Sequence, residues 1–306
     1  MSVEKQFHIS VSPHLRAKED AQSIMWWVVF ALLFPTAAAA YFFGLRALAL
    51  VFFTAFVAVI SEALFQFIAK RPITISDGSA AVAGILLALT LPPTLPFWMA
   101  AAGAVVAVVV VKGLFGGLGF NIFNPALAAR AILLASWPVA MTTWVKPFEA
   151  VTSATPLYLV NKLHQAAPSY LDLFLGSRAG SLGETSVLAI LIGAGILLIK
   201  GIIDWHAPVA YVGTVFLLTT FLGHDPLFGI MSGGLMLGAF FMATDYVTTP
   251  VTCKGRIIFG LGCGVMTVLI RYFGGFPEGV NYSILLMNCL TPLIDKHIRP
   301  KLYGGK

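Results

Sequence analysis

The stretch MWWVVFALLFPTAAAAYFF, residues 25–43, contains no charged side chain and decides the class of fold. About 20 consecutive apolar residues are enough for one α-helix to cross the hydrocarbon core of a bilayer. The rest of the chain is similarly apolar, since 58% of its 306 residues are hydrophobic and only 10% are charged. Soluble domains carry about a quarter charged residues. We therefore interpret the chain as an integral membrane protein, which excludes a soluble enzyme, a disordered chain and a small disulfide scaffold.

Ten apolar segments can be separated along the chain by polar, glycine or proline breaks. The expected fold class is therefore an all-α polytopic membrane protein with about ten transmembrane helices. The third and eighth segments are short or interrupted by glycine and proline. The ten segments are residues 24–43, 48–67, 79–93, 96–111, 125–137, 185–199, 208–222, 227–243, 257–273 and 280–294.

The basic residues predict how these segments are oriented. If the N-terminus is cytoplasmic, thirteen of the 19 Lys and Arg residues lie on the cytoplasmic side, five lie on the other side and Arg130 lies inside a segment. This bias favours two cytoplasmic termini. The expected organisation is a cytoplasmic arm with a first five-helix unit (1–137), an extracytoplasmic loop (138–183), and a second five-helix unit with a cytoplasmic tail (184–306). Because the positive charges are scattered, nucleic-acid binding is not expected.

The two halves of the chain resemble each other at an offset of about 157 residues, which indicates a duplication. A unit of five helices has an odd number of spans, so two copies must insert with opposite orientations. Inverted repeats of this kind place their binding site where interrupted helices meet near the membrane midplane. The matched features are Pro93 with Pro250, Phe115-Gly116-Gly117 with Phe273-Gly274-Gly275, and Asn124 with Asn281.

Three acidic residues are candidates for an ion path. Asp245, in the interrupted segment AFFMATDYVTTP, is placed at membrane depth, where a carboxylate is costly and by default a functional candidate. The alternatives are that it caps a helix or pairs with Arg130 or Lys254. Glu62 is a candidate coupling-ion site or a structural partner of Arg130. Asp77 precedes SAAVAGILL and has the position of a helix cap, so capping is the alternative to an ion-path role.

The run GFNIFNPALAAR, residues 119–130, places two amides and an arginine around a helix start. Asn121 and Asn124 offer donors and acceptors in one place, and Pro125 suits the first helical turn. A ring with alternating donors and acceptors, such as an isoalloxazine, could be bound by this pair. The alternative is local, because asparagine often ends a turn ahead of a helix. Arg130 is interpreted as a buried ion-pair member or as the counter-charge of an anionic ligand.

The predicted external loop contains TSATPL, residues 152–157. Pro156 holds the residue before it extended and outside a helix, so we expect Thr155 to be accessible to a modifying enzyme. A plain surface turn is the alternative. The chain has no Walker motif, GxGxxG, zinc ligand set or nucleophile triad, and its three cysteines lack CxxC spacing. If the chain carries electrons, it must therefore use a cofactor.

Four stretches in this order resemble the NqrB/RnfD family of membrane subunits. The family includes the RnfD subunit of the Rnf ion-translocating ferredoxin:NAD oxidoreductase and the NqrB subunit of the sodium-pumping NADH:quinone oxidoreductase. Because the sequence has no long N-terminal extension, it resembles the Rnf subunit more. The stretches are DGSAAVAGILLALTLPP (77–93), NIFNPALAARAILL (121–134), TSATPL (152–157) and FFMATDYVTTP (240–250).

This resemblance implies two flavins. In the family, a threonine of the [S/T]-G-A-T loop carries FMN through a phosphoester bond that a flavin transferase installs, and Thr155 is the matching residue. A second, noncovalent flavin such as riboflavin is implied within the membrane, with Asn121, Asn124 and Asp245 as the matching contacts. Ser153 stands where glycine is usual and Glu149 where aspartate is common, and both departures bear on whether Thr155 is modified.

The resemblance also implies a fold similar to urea channels, a location in a bacterial or archaeal cytoplasmic membrane, and partners in the other subunits of the complex. The leading hypothesis is a flavin-carrying membrane subunit that passes electrons between ferredoxin and NAD while the complex translocates Na+ or H+. Two alternatives are kept open: the quinone-reductase counterpart, and a channel or carrier for a small solute.

Overall fold

The computed structural model describes residues 20–148, 152–161, 163, 167–274 and 279–298. Within these residues the chain is helical, and its only β-pairing is an isolated bridge between Val145 and Thr152. One main helix overlaps each of the ten apolar segments, although in the eighth segment it covers only residues 235–242. These helices are α1 (Ala21–Phe43), α2 (Leu45–Ile68), α3 (Ser79–Leu89), α4 (Phe97–Val105, continued by the π-helix Val106–Gly113), α5 (Pro125–Ser136), α6 (Val187–Ile199), α7 (His206–Phe221), α8 (Leu235–Leu237, continued by the π-helix Gly238–Met242), α9 (Cys253–Phe273) and α10 (Val280–His297).

The connections add short helices. They are the 3₁₀ turn Ile75–Asp77 and the helices Pro138–Thr142, Pro156–Asn161, Tyr170–Leu175 and Pro226–Met231. Three of these helices lie inside the loop predicted for residues 138–183. That loop is therefore locally folded over much of its described length.

The structure confirms an all-helical membrane protein. Among the described residues, α1, α2 and α9 are long and apolar enough to cross a membrane. The other helices are shorter, with 11 residues in α3 and 12 in α5. Large apolar side chains point away from the core along α2, where Phe52 is 57% exposed and Phe56 is 63% exposed. Such surfaces are expected on a protein whose solvent is lipid.

Backbone contact through small residues holds the helices together. A Cβ atom at Gly193 of α6 would lie 2.4 Å from the carbonyl oxygen of Ala31 in α1. At Gly84 of α3, a Cβ atom would lie 2.7 Å from the Cα atom of Ala55 in α2. Small residues at helix contacts are typical of membrane proteins, where close backbone approach replaces the hydrophobic driving force. Larger side chains at these two positions would separate the helices.

The segments predicted to be interrupted are interrupted. After α3, the carbonyl oxygens of Leu89 and Leu91 accept hydrogen bonds from the amides of Gly183 (2.7 Å) and Leu182 (3.1 Å). These loop amides satisfy carbonyls that a longer helix would have paired internally. The segment predicted at 227–243 is not one helix. It breaks between Met231 and Leu235, where Gly233 has a φ of +67° that strains other residues.

Two packed helix pairs occupy corresponding places in the N-terminal and C-terminal parts of the chain. In the first half α2 packs against α4, and in the second half α7 packs against α9. Contacts between the halves run from α1 to α6 and from α5 to α10. The broken helices α3 and α8 each pack beside the last helix of their own half, α5 and α10 respectively. Residues of both broken helices line one cleft.

Candidate functional site

A cleft between the two halves contains all three residues predicted to contact a membrane-embedded flavin. We call it the central cleft, and it is lined by Asn121, Asn124 and Asp245. Its empty volume, with the open end included, is about 760 Å³. Its apolar walls come from α1, α3, α6 and α8. They are formed by Ile24, Val28, Leu86, Leu197, Phe240 and Phe241.

Asn121 and Asn124 also make local hydrogen bonds at the start of α5, which was the alternative to ligand binding. The Asn124 Oδ1 atom accepts hydrogen bonds from the amides of Ala126 (3.1 Å) and Leu127 (3.3 Å) and so caps α5. Its Nδ2 atom lies 3.5 Å from the carbonyl oxygen of Met242, at the end of α8. The Asn121 Nδ2 atom donates to the carbonyl oxygen of Phe123 at 3.0 Å. Asn124 therefore joins the broken helix of one half to the last helix of the other.

Asp245 lies in the non-helical segment that follows α8. Its carboxylate accepts hydrogen bonds from the hydroxyl of Thr248 (3.1 Å) and the amide of Val247 (3.4 Å). In the part of the chain that the structure describes, it makes no ion pair. The alternative pairing with Arg130 or Lys254 is thus wrong, because the local turn already supplies the carboxylate with donors. Asp245 also lines the central cleft.

A buried ion pair, which the sequence alone does not reveal, forms part of the cleft wall. The Lys112 Nζ atom, near the end of α4, lies 2.5 Å from Glu62 Oε1 and 2.5 Å from the Ser79 hydroxyl. The Lys112 side chain is 3% exposed and that of Glu62 is 5% exposed. Glu62 therefore pairs with Lys112 and not with Arg130, because α2 and α4 pack together. A single acidic residue in a membrane segment is costly unless a cation lies beside it. This rule could have indicated a cationic partner such as Lys112 from the sequence.

Asp77 bonds the start of α3 and also has a place in this network. Its Oδ1 atom accepts hydrogen bonds from the Ser79 amide (2.8 Å) and the Ser79 hydroxyl (2.6 Å). The N-cap of α3 is Gly78 and not Asp77, so the expected capping position is wrong by one residue, although the Asp77 carboxylate does bond the first amide of α3. The carboxylates of Asp77 and Glu62 are thereby linked through the Ser79 hydroxyl and the Lys112 ammonium group.

A second cleft, which we call the side cleft, lies on the other side of this pair. It is lined by Glu62, Gln66, Arg71, Asp77 and Gly113, and it opens beside the exposed residues 71–76. Lys112 and Ser79 line the central cleft instead. The four linked polar groups thus separate two clefts, with two groups facing each.

Thr155 occupies the position predicted for it but is not accessible. It precedes the helix Pro156–Asn161, outside the helix as Pro156 requires, and its Oγ1 atom accepts a hydrogen bond from the amide of Tyr158 (3.4 Å). Only 4% of the residue is exposed, so the expectation of an accessible hydroxyl is wrong for this conformation. The loop is held inward by Leu157, which packs against Gly233. Glu149 lies outside the described residues.

Two further buried arginines tie this loop and α9 to the broken helices. Arg178 donates to the carbonyl oxygens of Met231 and Glu184. Arg271, in α9, donates to the carbonyl oxygens of Gly229 (2.6 Å) and Ser232 (3.2 Å). The distribution of basic residues in the sequence placed Arg178 and Arg271 in loops outside the membrane, where they would only help to set the orientation of the protein. Their burial shows that they also stabilise the turn before α8, which lacks regular helical hydrogen bonds.

Asn281, which the sequence comparison of the two halves matches with Asn124, has a different environment. It lines a small cavity with Thr90, Arg130, Glu184 and other residues. Among the described residues, neither side-chain atom of Asn281 has a hydrogen-bond partner. Arg130 is buried there, as expected for a membrane-embedded arginine, and it does not reach Asp245 or Glu62.

Comparison with known proteins identifies the family. A model of the NQR2, RnfD, RnfE family matches residues 8–304, and this match covers nearly the whole chain. The chain belongs to this family. The resemblance carried by the four sequence stretches is therefore confirmed.

Curated members of the family are similar over almost their full length. The chain is 50% identical to the D subunit of the Na(+)-translocating ferredoxin:NAD(+) oxidoreductase complex of Acetobacterium woodii, over 98% of this chain and 96% of that protein. It is 47% identical to the D subunit of the proton-translocating ferredoxin:NAD(+) oxidoreductase complex of Clostridium ljungdahlii, over 98% and 97%. It is 40% identical to the D subunit of the ion-translocating oxidoreductase complex of Stutzerimonas stutzeri, over 94% and 93%.

Proposed function

We propose that this family member is an electron-carrying membrane subunit of an ion-translocating ferredoxin:NAD oxidoreductase. Relatives at 50% and 47% identity are named as the D subunits of such complexes. One of those names specifies Na+ and the other specifies protons, so the proposal leaves the ion as Na+ or H+. The partners are the other subunits of the complex, the lipid bilayer and, during maturation, a flavin transferase.

The central cleft is the observation that carries the proposal. It brings together an amide pair and a carboxylate that are more than a hundred residues apart, between apolar walls. This donor set fits the edge of an isoalloxazine ring, and the walls fit its faces. We assign the cleft to a noncovalent flavin such as riboflavin, held by Asn121, Asn124 and Asp245. A bound flavin would supply one- and two-electron redox chemistry, which protein side chains cannot supply.

The Thr155 hydroxyl is the proposed attachment point of FMN through a phosphoester bond. Support comes from the family membership and from the fixed position of Thr155 at the start of a short helix. Because the hydroxyl is buried, attachment requires the loop to open, either before the chain is fully folded or during encounter with the transferase. Ser153 donates to the carbonyl oxygen of Ala154 (3.3 Å) and does not touch Thr155 in the described contacts.

The proposed architecture is two inverted five-helix units, similar to urea channels, with about ten membrane-crossing segments. The matching pairs, α2 on α4 and α7 on α9, support it. In this arrangement residues 1–137 and 184–306 form the two units, and residues 138–183 form the extracytoplasmic loop that carries FMN. Both termini are cytoplasmic. Asp245, Glu62 and Asp77 are the proposed ion-path residues, because each lines one of the two clefts.

A denaturing gel viewed under ultraviolet light tests the covalent part of the proposal. The chain is coexpressed with a flavin transferase as parent, as Thr155→Val and as Thr152→Val, a matched loss of a neighbouring hydroxyl. We expect fluorescence in the parent and in Thr152→Val and none in Thr155→Val. Fluorescence that persists in Thr155→Val contradicts the residue assignment.

The two alternatives make different predictions. A solute channel predicts solute flux into liposomes that contain the chain alone, and it assigns no role to residues 152–157. A quinone-reductase counterpart predicts activity with a quinone and none with ferredoxin in the purified assembly. Our proposal predicts ferredoxin-dependent reduction of NAD by the assembly and no solute flux.

A further inference from the structure

We propose that Lys112 and Glu62 form a proton relay between the side cleft and the central cleft. The proposal rests on the assignment of a flavin to the central cleft. It adds a role for a pair of residues that this assignment leaves unused. The relay supplies a proton to the central cleft when electrons arrive there, and it refills from the side cleft.

The ammonium group of Lys112 is placed to serve the central cleft. Lys112 lines this cleft together with Ser79, Asn124 and Asp245. Electrons added to a buried ligand bring negative charge into a region of low dielectric constant, where uncompensated charge is costly. A proton delivered from Lys112 Nζ offsets that charge. No other lysine or arginine lines the central cleft among the described residues.

The carboxylate of Glu62 is placed to serve the side cleft. Glu62 Oε1 is bonded to Lys112, whereas Glu62 Oε2 is buried and has no hydrogen-bond partner among the described residues. Glu62 lines the side cleft, which opens beside an exposed segment. A buried carboxylate oxygen without a donor is unsatisfied, and a water molecule or a proton that enters from the side cleft would satisfy it. The carboxylate can therefore take up a proton from the side cleft.

Other polar and charged groups surround the pair. Gln66, one turn along α2, donates to Glu62 Oε1 at 3.4 Å. Asp77 reaches Lys112 through the Ser79 hydroxyl. Arg71 faces the side cleft and donates to the carbonyl oxygen of Gly113 (3.1 Å), and Asp245 faces the central cleft. Asp77 gives the ammonium group a second route to the side cleft.

The proton balance of the relay is simple. Lys112 Nζ gives one proton to the occupant of the central cleft and becomes a neutral amine. Glu62 takes one proton from the side cleft and passes it to Nζ, which restores the carboxylate and the ammonium group. The electrons come from the redox donor of the complex, so the relay moves protons only. One proton enters the side cleft for each proton delivered.

Proton uptake by the full chain in detergent tests the relay. A Thr155→Val background leaves the noncovalent flavin as the only one, and light-driven reduction through a deazaflavin starts the reaction. Flavin absorbance reports electron arrival, and a pH-indicator dye reports proton uptake. Lys112→Arg keeps a buried cation that does not release its proton. We expect it to slow proton uptake about 100-fold, the scale of general acid catalysis, while electron arrival keeps its rate.

Two further variants control for folding and charge. The double variant Lys112→Met/Glu62→Gln removes both buried charges together and is expected to slow proton uptake to the same extent. Lys200→Met removes an exposed lysine that lies over the Trp27 ring, and it is expected to leave proton uptake unchanged. Uptake at the parent rate in Lys112→Arg or in the double variant overturns the relay while the flavin assignment stands. A parent protein that releases no noncovalent flavin overturns the flavin assignment, and the relay with it.

Discussion

The central cleft and the Thr155 loop, the two proposed cofactor sites, differ in how they are built. The cleft is assembled from four helices and a turn, and its polar groups are more than a hundred residues apart. The loop offers one hydroxyl, fixed by contacts within a few residues of it. A site built from many contacts can hold a ligand without a covalent bond, whereas a single hydroxyl needs one. The comparison therefore predicts that mutations separate the two flavins.

The largest expected effect is a loss of stability when the buried pair of Lys112 and Glu62 is broken. Lys112→Met leaves Glu62 charged and unpaired, which costs about 3–5 kcal/mol of stability for a buried pair. Adding Glu62→Gln to the same protein is expected to restore most of the loss. Thermal unfolding in detergent measures both. Equal stability of Lys112→Met and the parent would show that the pair is not buried in the folded protein.

Asn124→Ala should damage the cleft and spare the loop. The substitution removes the cap of α5, a loss of about 1 kcal/mol, and one of the proposed flavin contacts. We expect the noncovalent flavin to be lost on purification while the covalent flavin remains. Asn281→Ala is the matched control, because it occupies the same repeat position without lining the cleft. If both variants keep the noncovalent flavin, the assignment of Asn124 is wrong.

Gly233→Ala should act on the loop and spare the cleft. At Gly233 a Cβ atom would lie 2.7 Å from Leu157 Cδ1, and the φ of +67° disfavours other residues. A strained conformation of this kind costs about 1–3 kcal/mol, and Leu157 must move. We expect the yield of covalent flavin to change while the noncovalent flavin stays, as quantified by gel fluorescence and by extraction. Gly195→Ala, which meets no atom within 4 Å, controls for a new methyl group.

Asp204 lines neither the central cleft nor the Thr155 loop, and Asp204→Asn should have the smallest effect. Asp204 bonds His206 (2.7 Å) and Arg256 (2.9 Å). Partial burial alone would raise the pKa of Asp204, but these two partners hold it below its usual value. The contribution to stability is therefore present at neutral pH and is lost as the pH falls below about 4 through the folded pKa. We expect a loss of less than about 1 kcal/mol at neutral pH, and neither flavin should be affected.

The sequence predicted the parts of this fold that depend on local pattern. Nine of the ten apolar segments each contain one main helix, the eighth is broken as its glycines suggested, and Asn124 and Pro125 begin α5 as expected. The interruption at Pro92 and Pro93 was also visible, because two prolines cannot continue a helix. The motif residues Asn121 and Asp245 proved to share a cleft with Asn124, although only the resemblance had connected them.

What the sequence could not predict depends on packing between distant helices. Lys112 lies at the end of an apolar segment, where the sequence alone suggests a basic residue that helps to orient the segment in the membrane. Only the contact between α4 and α2 shows that its partner is Glu62. Thr155 lies in a polar loop that local pattern makes accessible, yet Leu157 and Gly233 hold that loop inward. The burial of Arg271 also depends on packing between distant elements. Its guanidinium group donates hydrogen bonds to the turn that contains Gly233.

Intact mass of the purified, matured chain tests the central claim most directly. The account predicts a polypeptide with one FMN added and one water lost, and a second, unmodified-flavin signal released when the same sample is denatured. It also predicts that Thr155→Val keeps the second signal and loses the added mass. A matured chain whose mass equals that of the bare polypeptide, with no flavin released on denaturation, contradicts the account and supports the solute channel.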